Sequence, residues 1–341
     1  MGKAVRLSDI AKRAGVSTVT VSKALSGQRG VSSEKRTLIE HLAREMGYQK
    51  TVPSAGQKKG YTIGVVVADR FLNTSQSFYW AYYQELSRCA SERGNLPVLK
   101  IVTAEEEDKK DVSCVTGRRQ IRGFILVGTF RDGYRKALTE AAGVPCVFLD
   151  SAGPGCSIVT DNLRMAFDMT NYLFSLGHSR IGFVGTRTLT DAADDRYLGY
   201  LKSLIEHGIS PDPSLILDDR DRSSGMIVPD NFRFEPGNMP TAYVCSSGIS
   251  ASVLCDRLGR EGYSVPGDIS VAGFEDFLPE QVAGTRLTGC RVNIEEIAQR
   301  AVSSLVKQIE GAYVQPFVLQ IPGTMVLKGS VRKVGKPVPF V

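Results

Sequence analysis

The stretch VRLSDIAKRAGVSTVTVSKALSGQRGVSSEKRTLIEHLAREMGY, residues 5–48, contains three short helical patterns separated by turn signals. In the first pattern, apolar residues recur at i, i+3, i+4 and i+7, which predicts one buried helix face, and Gly15 follows where a left-handed helix stop is favoured. The apolar residues of this face are Leu7, Ile10, Ala11 and Ala14. Ser17 then supplies a typical N-cap, which predicts a second helix from Thr18 to Ser26.

The second helix has two faces of different character. Its apolar face is expected to pack inward and carries Val21, Ala24 and Leu25. The other face is a narrow, mostly polar surface with a positive charge at one end, formed by Thr18, Val19, Ser22 and Lys23. A third pattern begins at Ser32 or Ser33, stops at Gly47 and closes the small core with Leu38, Ile39, Leu42, Ala43 and Met46. Two helices that cross through a short turn can place the second in a DNA major groove, although a three-helix bundle with a solvated basic face has the same spacing.

Residues 9–48 also match a known pattern at many positions. They resemble the DNA-binding headpiece of the LacI/GalR family, whose pattern has the form DVA..AGVS..TVSR.LN....VS..TR..V..A...LGY. The resemblance implies that Thr18, Val19 and Lys23 contact base edges. Lysine can donate to guanine O6 and N7, threonine can hydrogen-bond or touch a thymine methyl, and valine makes apolar contact only. The resemblance assigns helix caps and phosphate contacts to Ser17, Thr20, Ser22 and Ser32.

The charge of the chain is concentrated in the same region. At 341 residues the chain is long enough for about two domains, and its formal net charge is +6. Residues 1–60 hold 12 Lys and Arg against 4 Asp and Glu, a balance of +8, whereas the remaining residues hold 30 against 32, a balance of −2. A small basic domain attached to a near-neutral body is typical of a protein that docks one end on a polyphosphate and uses the other for a different purpose.

Several other classes are disfavoured by composition. The seven cysteines form no C-x-x-C pair and only three histidines are present, so we expect no metal site, no disulfide framework and no cofactor. Most of the cysteines are expected to be small buried hydrophobes. The sequence shows no apolar run of signal-peptide length near its start and no stretch of the about 18 apolar residues needed to cross a bilayer. We therefore expect a cytoplasmic protein with no membrane partner.

Residues 50–60 form the expected linker, which is rich in glycine, proline and lysine. In the family that the headpiece resembles, this segment forms a hinge helix on DNA and inserts a leucine into the minor groove. The matching residue here is Gln57, which is not an apolar wedge, and Pro53 and Gly56 weaken a helix by about 3 and 1 kcal/mol. Local propensity therefore disfavours a hinge helix, while Lys50, Lys58 and Lys59 are placed to contact phosphates.

From Tyr61 onward, short apolar runs alternate with helical patterns. The expected strands are YTIGVVVA, FILVG, VPCVFLD, RIGFVG, TAYVC and ISVAGF, at residues 61–68, 124–128, 144–150, 180–185, 241–245 and 269–274. The expected helices run from Phe78 to Glu92, from Leu163 to Leu176 and from Ile249 to Gly262. Strands that are apolar on both faces and separated by helices are typical of parallel sheets in an α/β fold, and this length accommodates two sheets.

The part after the linker resembles the periplasmic-binding-protein-like core of the same family, in runs such as RGFILVG, LGHSRIGFVG and VPGDISVAGFED. The resemblance implies two lobes with the effector between them, and ligands also tend to bind at the carboxyl ends of parallel strands. It divides the chain into a helix-turn-helix domain at 1–49, a linker at 50–60, a two-lobed effector-binding and dimerisation domain at 61–331 and a tail at 332–341. The tail has no leucine heptad, so we expect a homodimer rather than a tetramer.

The resemblance also nominates effector-binding residues. Arg196, in the run RYLG, matches an arginine that binds effector hydroxyls or carboxylates, and a surface arginine is the alternative. Glu275 and Asp276 match carboxylates that accept sugar hydroxyls at a strand's carboxyl end. Phe78 and Tyr79 match an aromatic turn whose rings stack on a sugar, with ordinary core packing as the alternative. Trp80, the only tryptophan, is expected to border the effector as well.

Two departures from the family change the expected pocket. Ser247 and Gly248 stand where the family has Asn and Asp, and Val292 stands where a polar glutamine is common. Ser247 is therefore the nominated contact at this position, and the pocket is expected to be less polar on one lobe, which disfavours a simple hexose.

We find no motif for catalysis in the sequence. It contains no Walker loop, G-x-S-x-G or HExxH, and its glycine-rich turn GPGC lacks the third glycine of a dinucleotide loop. Aspartates 191, 194, 195, 218, 219 and 221 alternate with arginines 196, 220 and 222 and are expected to form solvated loops. The sequence thus predicts a repressor that binds a pseudo-palindromic double-stranded DNA operator under control of a sugar-like effector. A cytoplasmic solute-binding or enzymatic α/β protein with an incidental basic N-terminus is the alternative.

Overall fold

The computed structural model describes residues 7–25, 31–46, 60–72, 78–113, 120–222, 224–235, 237–274 and 286–340. The chain divides into two compact units, Met1–Lys59 and Gly60–Val341. The predictions for the linker and hinge, which rest on Pro53, Gly56 and Gln57, lie outside the described residues, as do those for Glu275 and Asp276.

The first unit contains three helices, α1 (Leu7–Ala14), α2 (Thr18–Leu25) and α3 (Ser33–Glu45), within its described residues. Their shared core consists of Ile10, Ala11, Val21, Ala24, Ile39 and Ala43. Gly15 has φ +63°, so the left-handed stop predicted for α1 is present. The prediction for Leu38 is wrong, because this side chain is 51% exposed and α3 instead packs through Ile39 and Ala43.

The second unit contains helices and strands in alternation. Its described helices are α4 (Phe78–Glu92), α5 (Ala104–Lys109), α6 (Asp132–Ala142), α7 (Asn162–Ser175), α8 (Asp191–Glu206), α9 (Gly248–Arg260) and α10 (Ile294–Ile309). Its described strands are β1 (Thr62–Ala68), β2 (Leu96–Val102), β3 (Ile121–Val127), β4 (Cys146–Leu149), β5 (Cys156–Thr160), β6 (Ile181–Val184), β7 (Ile216–Leu217), β8 (Ala242–Cys245), β9 (Ser270–Phe274), β10 (Thr288–Arg291), β11 (Val318–Ile321) and β12 (Thr324–Val326).

The strands form two sheets, one in each of two lobes. The sheet of lobe 1 has the order β11-β5-β4-β3-β1-β2, and the sheet of lobe 2 has the order β12-β10-β9-β8-β6-β7. Pairing is parallel throughout except between β10 and β12. The chain passes between the lobes after β5, β10 and β11. The predicted fold class, a two-lobed α/β core with parallel sheets after a small helical headpiece, is confirmed.

The central strands were predicted and several outer strands were not. Strand β2 lies at a sheet edge, where the run LPVLKIV keeps a proline and a lysine, so it lacks the uniform apolar character of a central strand. Strand β7 has only two residues, too few for any pattern. The GPGC turn leads directly into β5.

The expected tail packs on lobe 2. The backbone N–H groups of Val334 and Val338 donate to the carbonyls of Leu176 and Phe174, at 2.9 and 3.0 Å. The ring of Phe340 lies 4.4 Å from that of His207. The described part of the tail, residues 332–340, therefore extends the surface of lobe 2.

Candidate functional site

The outward side of α2 forms the first candidate site. The hydroxyl of Ser17 accepts the backbone N–H of Thr20 at 3.1 Å, which caps the start of the helix. Val21 and Ala24 fill the core below, so the helix presents its opposite face to solvent. This face, here called the recognition surface, consists of Thr18, Val19, Ser22 and Lys23, all exposed, with Val19 at 63%. Ser32, just before α3, is also exposed.

The second candidate site is a cavity of about 260 Å³ between the two lobes. Lobe 1 contributes Arg70, Phe71, Phe78, Tyr79 and Asp150. Lobe 2 contributes polar groups from Thr186, Arg196, Asp219, Arg220, Ser246 and Ser247. Apolar side chains of lobe 2, among them Leu189, Met226 and Ile249, complete the lining. Of the residues predicted to bind effector, Phe78, Tyr79, Arg196 and Ser247 therefore line one cavity.

An aromatic wall, formed by Phe71, Phe78 and Tyr79, closes the lobe 1 side. The rings of Phe71 and Tyr79 stack at 4.6 Å with an interplanar angle of 22°. The Tyr79 hydroxyl donates to Oδ2 of Asp150 at 3.0 Å. Burial raises the pKa of Tyr79 well above its ordinary value, and the neighbouring Asp150 carboxylate raises it further. Tyr79 therefore stays protonated and keeps Asp150 oriented at the cavity.

The wall depends on the absence of a side chain at Gly128. This residue follows β3 with φ +82°, and a Cβ added there would lie 2.8 Å from the Tyr79 ring. Both the backbone conformation and the close approach thus require glycine.

Arg196, in α8, forms the lobe 2 side of the cavity. Its side chain is 6% exposed, so the alternative of a surface arginine is wrong. Nε donates to Oδ1 of Asn162 at 2.8 Å, and Nη1 donates to the carbonyl of Ser246 at 2.5 Å. The guanidinium carbon lies 3.6 Å from the ring centroid of Phe274. These contacts fix the plane of the guanidinium at the cavity.

Asp219 corrects the prediction of a solvated acidic loop. It is 0% exposed and accepts hydrogen bonds from the N–H and the hydroxyl of Thr186, at 2.8 and 2.9 Å, and from Ser250. The neighbouring Arg220 places Nε 3.4 Å from Oδ2 of Asp219 and donates through Nη1 to the carbonyl of Gly225 at 3.0 Å. Hydrogen bonds therefore hold this part of the loop in place as one wall of the cavity.

Ser247 has a structural role at the same place. Its hydroxyl accepts the N–H of Ser250 at 3.1 Å and so caps the first turn of α9. Gly248, the first residue of α9, also lines the cavity, whereas Val292 is buried and does not. Where the family has Asn and Asp, this chain therefore places the first turn of α9, with Ser247 and Gly248, at the cavity.

Trp80 departs from its prediction, because it does not line the cavity. Its indole N–H donates to the carbonyl of Leu72 at 3.3 Å, behind the aromatic wall. Four charged lining residues were not predicted, namely Arg70, Asp150, Asp219 and Arg220. Asp150 ends the predicted strand VPCVFLD, so its place at a carboxyl end was a usable signal. Asp219 and Arg220 follow β7, which is too short to be recognised.

The two lobes touch at the edge of the cavity. The hydroxyl of Ser151, in lobe 1, donates to Oδ2 of Asp191, in lobe 2, at 2.6 Å. The backbone N–H of Asp191 donates to Oγ1 of Thr129, in lobe 1, at 3.3 Å. Asp191 begins α8, where a carboxylate is favoured by the helix dipole.

The described residues also bear on metal sites, thiols and membrane spans. No group of three or more His, Cys, Asp and Glu side chains is arranged to hold a metal ion in that part of the chain. Six cysteines are described as free thiols, and all except the half-buried Cys146 are buried. Within the same residues, no helix combines the length and apolar character required to span a membrane.

Comparison with known proteins gives matches to both units. Residues 6–51 match the model of the "Bacterial regulatory proteins, lacI family", and residues 170–331 match that of the "Periplasmic binding protein-like domain". The HTH-type transcriptional repressor CytR of Escherichia coli (strain K12) is 28% identical over 346 residues, which span 96% of this chain and 97% of CytR.

Solved structures agree over nearly the whole chain. The complex of the transcriptional regulator CelR with cellobiose gives a TM-score of 0.69 at 22% identity and covers 96% of this chain and 99% of the other. The lac repressor dimer bound to operator and the anti-inducer ONPF gives 0.69 at 24% identity, with coverage of 97% and 100%. The fold described for this chain is therefore shared with both solved structures. The chain therefore carries a lacI-family regulatory domain at residues 6–51 and a periplasmic binding protein-like domain at residues 170–331.

Proposed function

We propose that this protein is a transcriptional repressor that binds operator DNA through α2 and whose operator affinity is controlled by a small molecule in the interlobe cavity. The observation that carries the proposal is the pairing of an exposed recognition surface on a basic unit with a polar and aromatic cavity in a second unit. The proposed domains are residues 1–49 for DNA, 50–60 as linker, 61–331 for effector and dimerisation, and 332–341 as tail.

The DNA-binding part of the proposal assigns a role to each exposed residue. Lys23 donates to a guanine, Thr18 contacts a base edge and Val19 makes apolar contact with a thymine methyl. The hydroxyls of Ser17, Thr20, Ser22 and Ser32 cap helices and contact phosphates. A homodimer presents two such surfaces to the two halves of a pseudo-palindromic operator. The related lac repressor was solved as a dimer on its operator, which supports this arrangement.

The effector part follows from the chemistry of the cavity. An aromatic wall suits the face of a sugar or another ring, and Asp150 and Arg196 are placed to accept and donate hydrogen bonds to hydroxyls. Glu275 and Asp276 would add carboxylates. The related regulator CelR was solved with cellobiose, a sugar, which supports a sugar or sugar derivative. The protein works in the cytoplasm, by binding rather than by catalysis.

Control of DNA affinity is a matter of linkage between the two sites. The effector changes operator affinity only through different affinities for two arrangements of the lobes, and the operator changes effector affinity by the same factor. The contacts of Asp191 with Ser151 and Thr129 join the two lobes in one of these arrangements. An effector that needs these lobes closer together or further apart shifts the population.

The test is footprinting of the purified protein on the DNA upstream of its own reading frame, with and without a panel of sugars and related metabolites. We expect a protected two-fold site whose occupancy changes with one panel member. Arg196→Ala should bind the same DNA and lose that response, whereas Arg164→Ala, at an exposed i,i+4 ion pair in α7, should behave as wild type. Absence of any protected site would refute the proposal.

A further inference from the structure

An ion pair with a buried carboxylate lies next to the aromatic wall. Glu107, in α5, is 2% exposed. Its carboxylate accepts hydrogen bonds from both Nη atoms of Arg70, and Nη2 lies 3.4 Å from Oε1. The same Oε1 accepts the backbone N–H of Arg131 at 3.1 Å. A carboxylate withdrawn from water in this way is stable only because its donors are held in place. Its neighbour Glu105 is exposed on the same short helix.

Arg70 connects this carboxylate to the cavity. Its guanidinium carbon lies 4.7 Å from the ring centroid of Phe71, the ring that stacks on Tyr79. Nη2 also donates to the carbonyl of Thr129 at 2.6 Å. The guanidinium therefore packs on the ring of Phe71 while its Nη atoms are held by Glu107 and Thr129.

The same group reaches the interface between the lobes. Thr129, whose carbonyl accepts from Arg70, uses its hydroxyl to accept the N–H of Asp191 in lobe 2. A Cβ built on Gly225, also in lobe 2, would lie 3.9 Å from Cβ of Arg70. Arg70 thus lies where the aromatic wall meets the surface against which lobe 2 closes.

We propose that Glu107 is a positioning residue for the cavity. It acts through Arg70 to fix the position of the stacked Phe71 and Tyr79 rings. That position determines which ring of an effector can pack against the lobe 1 side. This inference rests on the proposed function for the identity of the cavity as the effector site. The position of the wall itself is measurable without any effector, so the two ideas fail separately.

Trp80 provides the measurement. It is the only tryptophan, and its indole N–H donates to the carbonyl of Leu72, directly after the 3-10 turn Asp69–Phe71 that carries Arg70 and Phe71. Acrylamide quenching of Trp80 in the full-length, effector-free protein should rise about twofold in Glu107→Gln, because the turn loses its charged anchor and opens locally. Glu105→Gln changes an exposed carboxylate in the same helix and should quench as wild type.

A double variant separates positioning from simple stability. Arg70→Gln with Glu107→Gln leaves no buried unpaired charge, so its thermal midpoint should recover towards wild type. The two glutamine side chains cannot replace the planar guanidinium of Arg70 over Phe71, so Trp80 quenching in the double variant should stay raised. The proposal is overturned if the double variant recovers both its thermal midpoint and its Trp80 quenching. It is also overturned if Glu107→Gln leaves the quenching unchanged, or if the double variant does not fold. Each of these results would assign the pair to stability alone. Raised quenching in Glu107→Gln of a protein that protects no DNA site would refute the proposed function and leave standing the positioning of the aromatic wall by Glu107.

Discussion

The recognition surface and the interlobe cavity hold their polar groups in opposite ways. The surface lies on a single helix, its side chains are exposed, and the core beneath it is complete without them. The cavity gathers side chains from residues 70 to 249, and its Arg196 and Asp219 are buried and bonded to neighbours. Substitutions at the surface should therefore change DNA affinity and leave folding intact, whereas substitutions at the cavity should affect both binding and stability.

The largest effect expected is that of salt, and it concerns the recognition surface. The +8 balance of residues 1–60 predicts several phosphate contacts, each of which adds about −0.9 to the slope of log affinity against log salt. With 6 to 10 contacts, operator affinity should fall about 10³- to 10⁵-fold between 50 and 200 mM salt. Fluorescence anisotropy on labelled operator measures the slope. A flat response would exclude the electrostatic mode of binding, while effector affinity is expected to change little with salt.

The next largest effect concerns the cavity. Asp219→Ala should cost about 3 to 5 kcal/mol in the free energy of unfolding, because the buried donors of Thr186 and Ser250 and the half-buried guanidinium of Arg220 lose their acceptor. Asp218→Ala is the matched control, since Asp218 pairs with Arg222 on the surface and should cost less than about 1 kcal/mol. Urea denaturation of both variants decides the matter. If the two variants lost the same free energy of unfolding, Asp219 would be as solvated as Asp218.

The same contrast explains what the sequence could predict. The headpiece is a local structure, so helix periodicity, Ser17 and Gly15 indicated all three helices, and only Leu38 was placed on the wrong side. The central strands were equally evident, because burial on both faces makes them uniformly apolar. Nothing comparable marks the cavity. Arg70 and Glu107 are 37 residues apart and meet only through tertiary packing, and no pattern in a single sequence carries that information.

The residues of the cavity differed in how well the sequence predicted them. Arg196 and Tyr79 were nominated through the family pattern, and Asp150 could have been, from its position at the end of a strand. Asp219 was misjudged because alternating charges normally indicate solvent. Its burial is possible only because Thr186 and Ser250, 33 and 31 residues away, supply donors.

A smaller effect is expected at the charged end of the recognition surface. Lys23→Ala should weaken binding to the operator by about 1 to 3 kcal/mol and relax the preference for one base pair in each half-site, because a guanine loses its donor. The thermal midpoint should not change, since Lys23 is exposed and outside the core. Binding to a library of half-site variants measures the preference. Equal weakening on operator and unrelated DNA would make Lys23 a phosphate contact.

The smallest effect is expected in the linker, at Gln57. If Pro53 and Gly56 prevent a hinge helix, a leucine at position 57 has no scaffold to aim it into the minor groove, and Gln57→Leu alone should change operator affinity by less than about 0.5 kcal/mol. Replacing Pro53, Gly56 and Gln57 together by Ala, Ala and Leu removes about 4 kcal/mol of helix penalty and should tighten binding and bend the operator more. The gel mobility of circularly permuted sites reports the bend. A wild-type complex already bent as strongly as the triple variant would show that DNA contacts overcome local propensity in this segment.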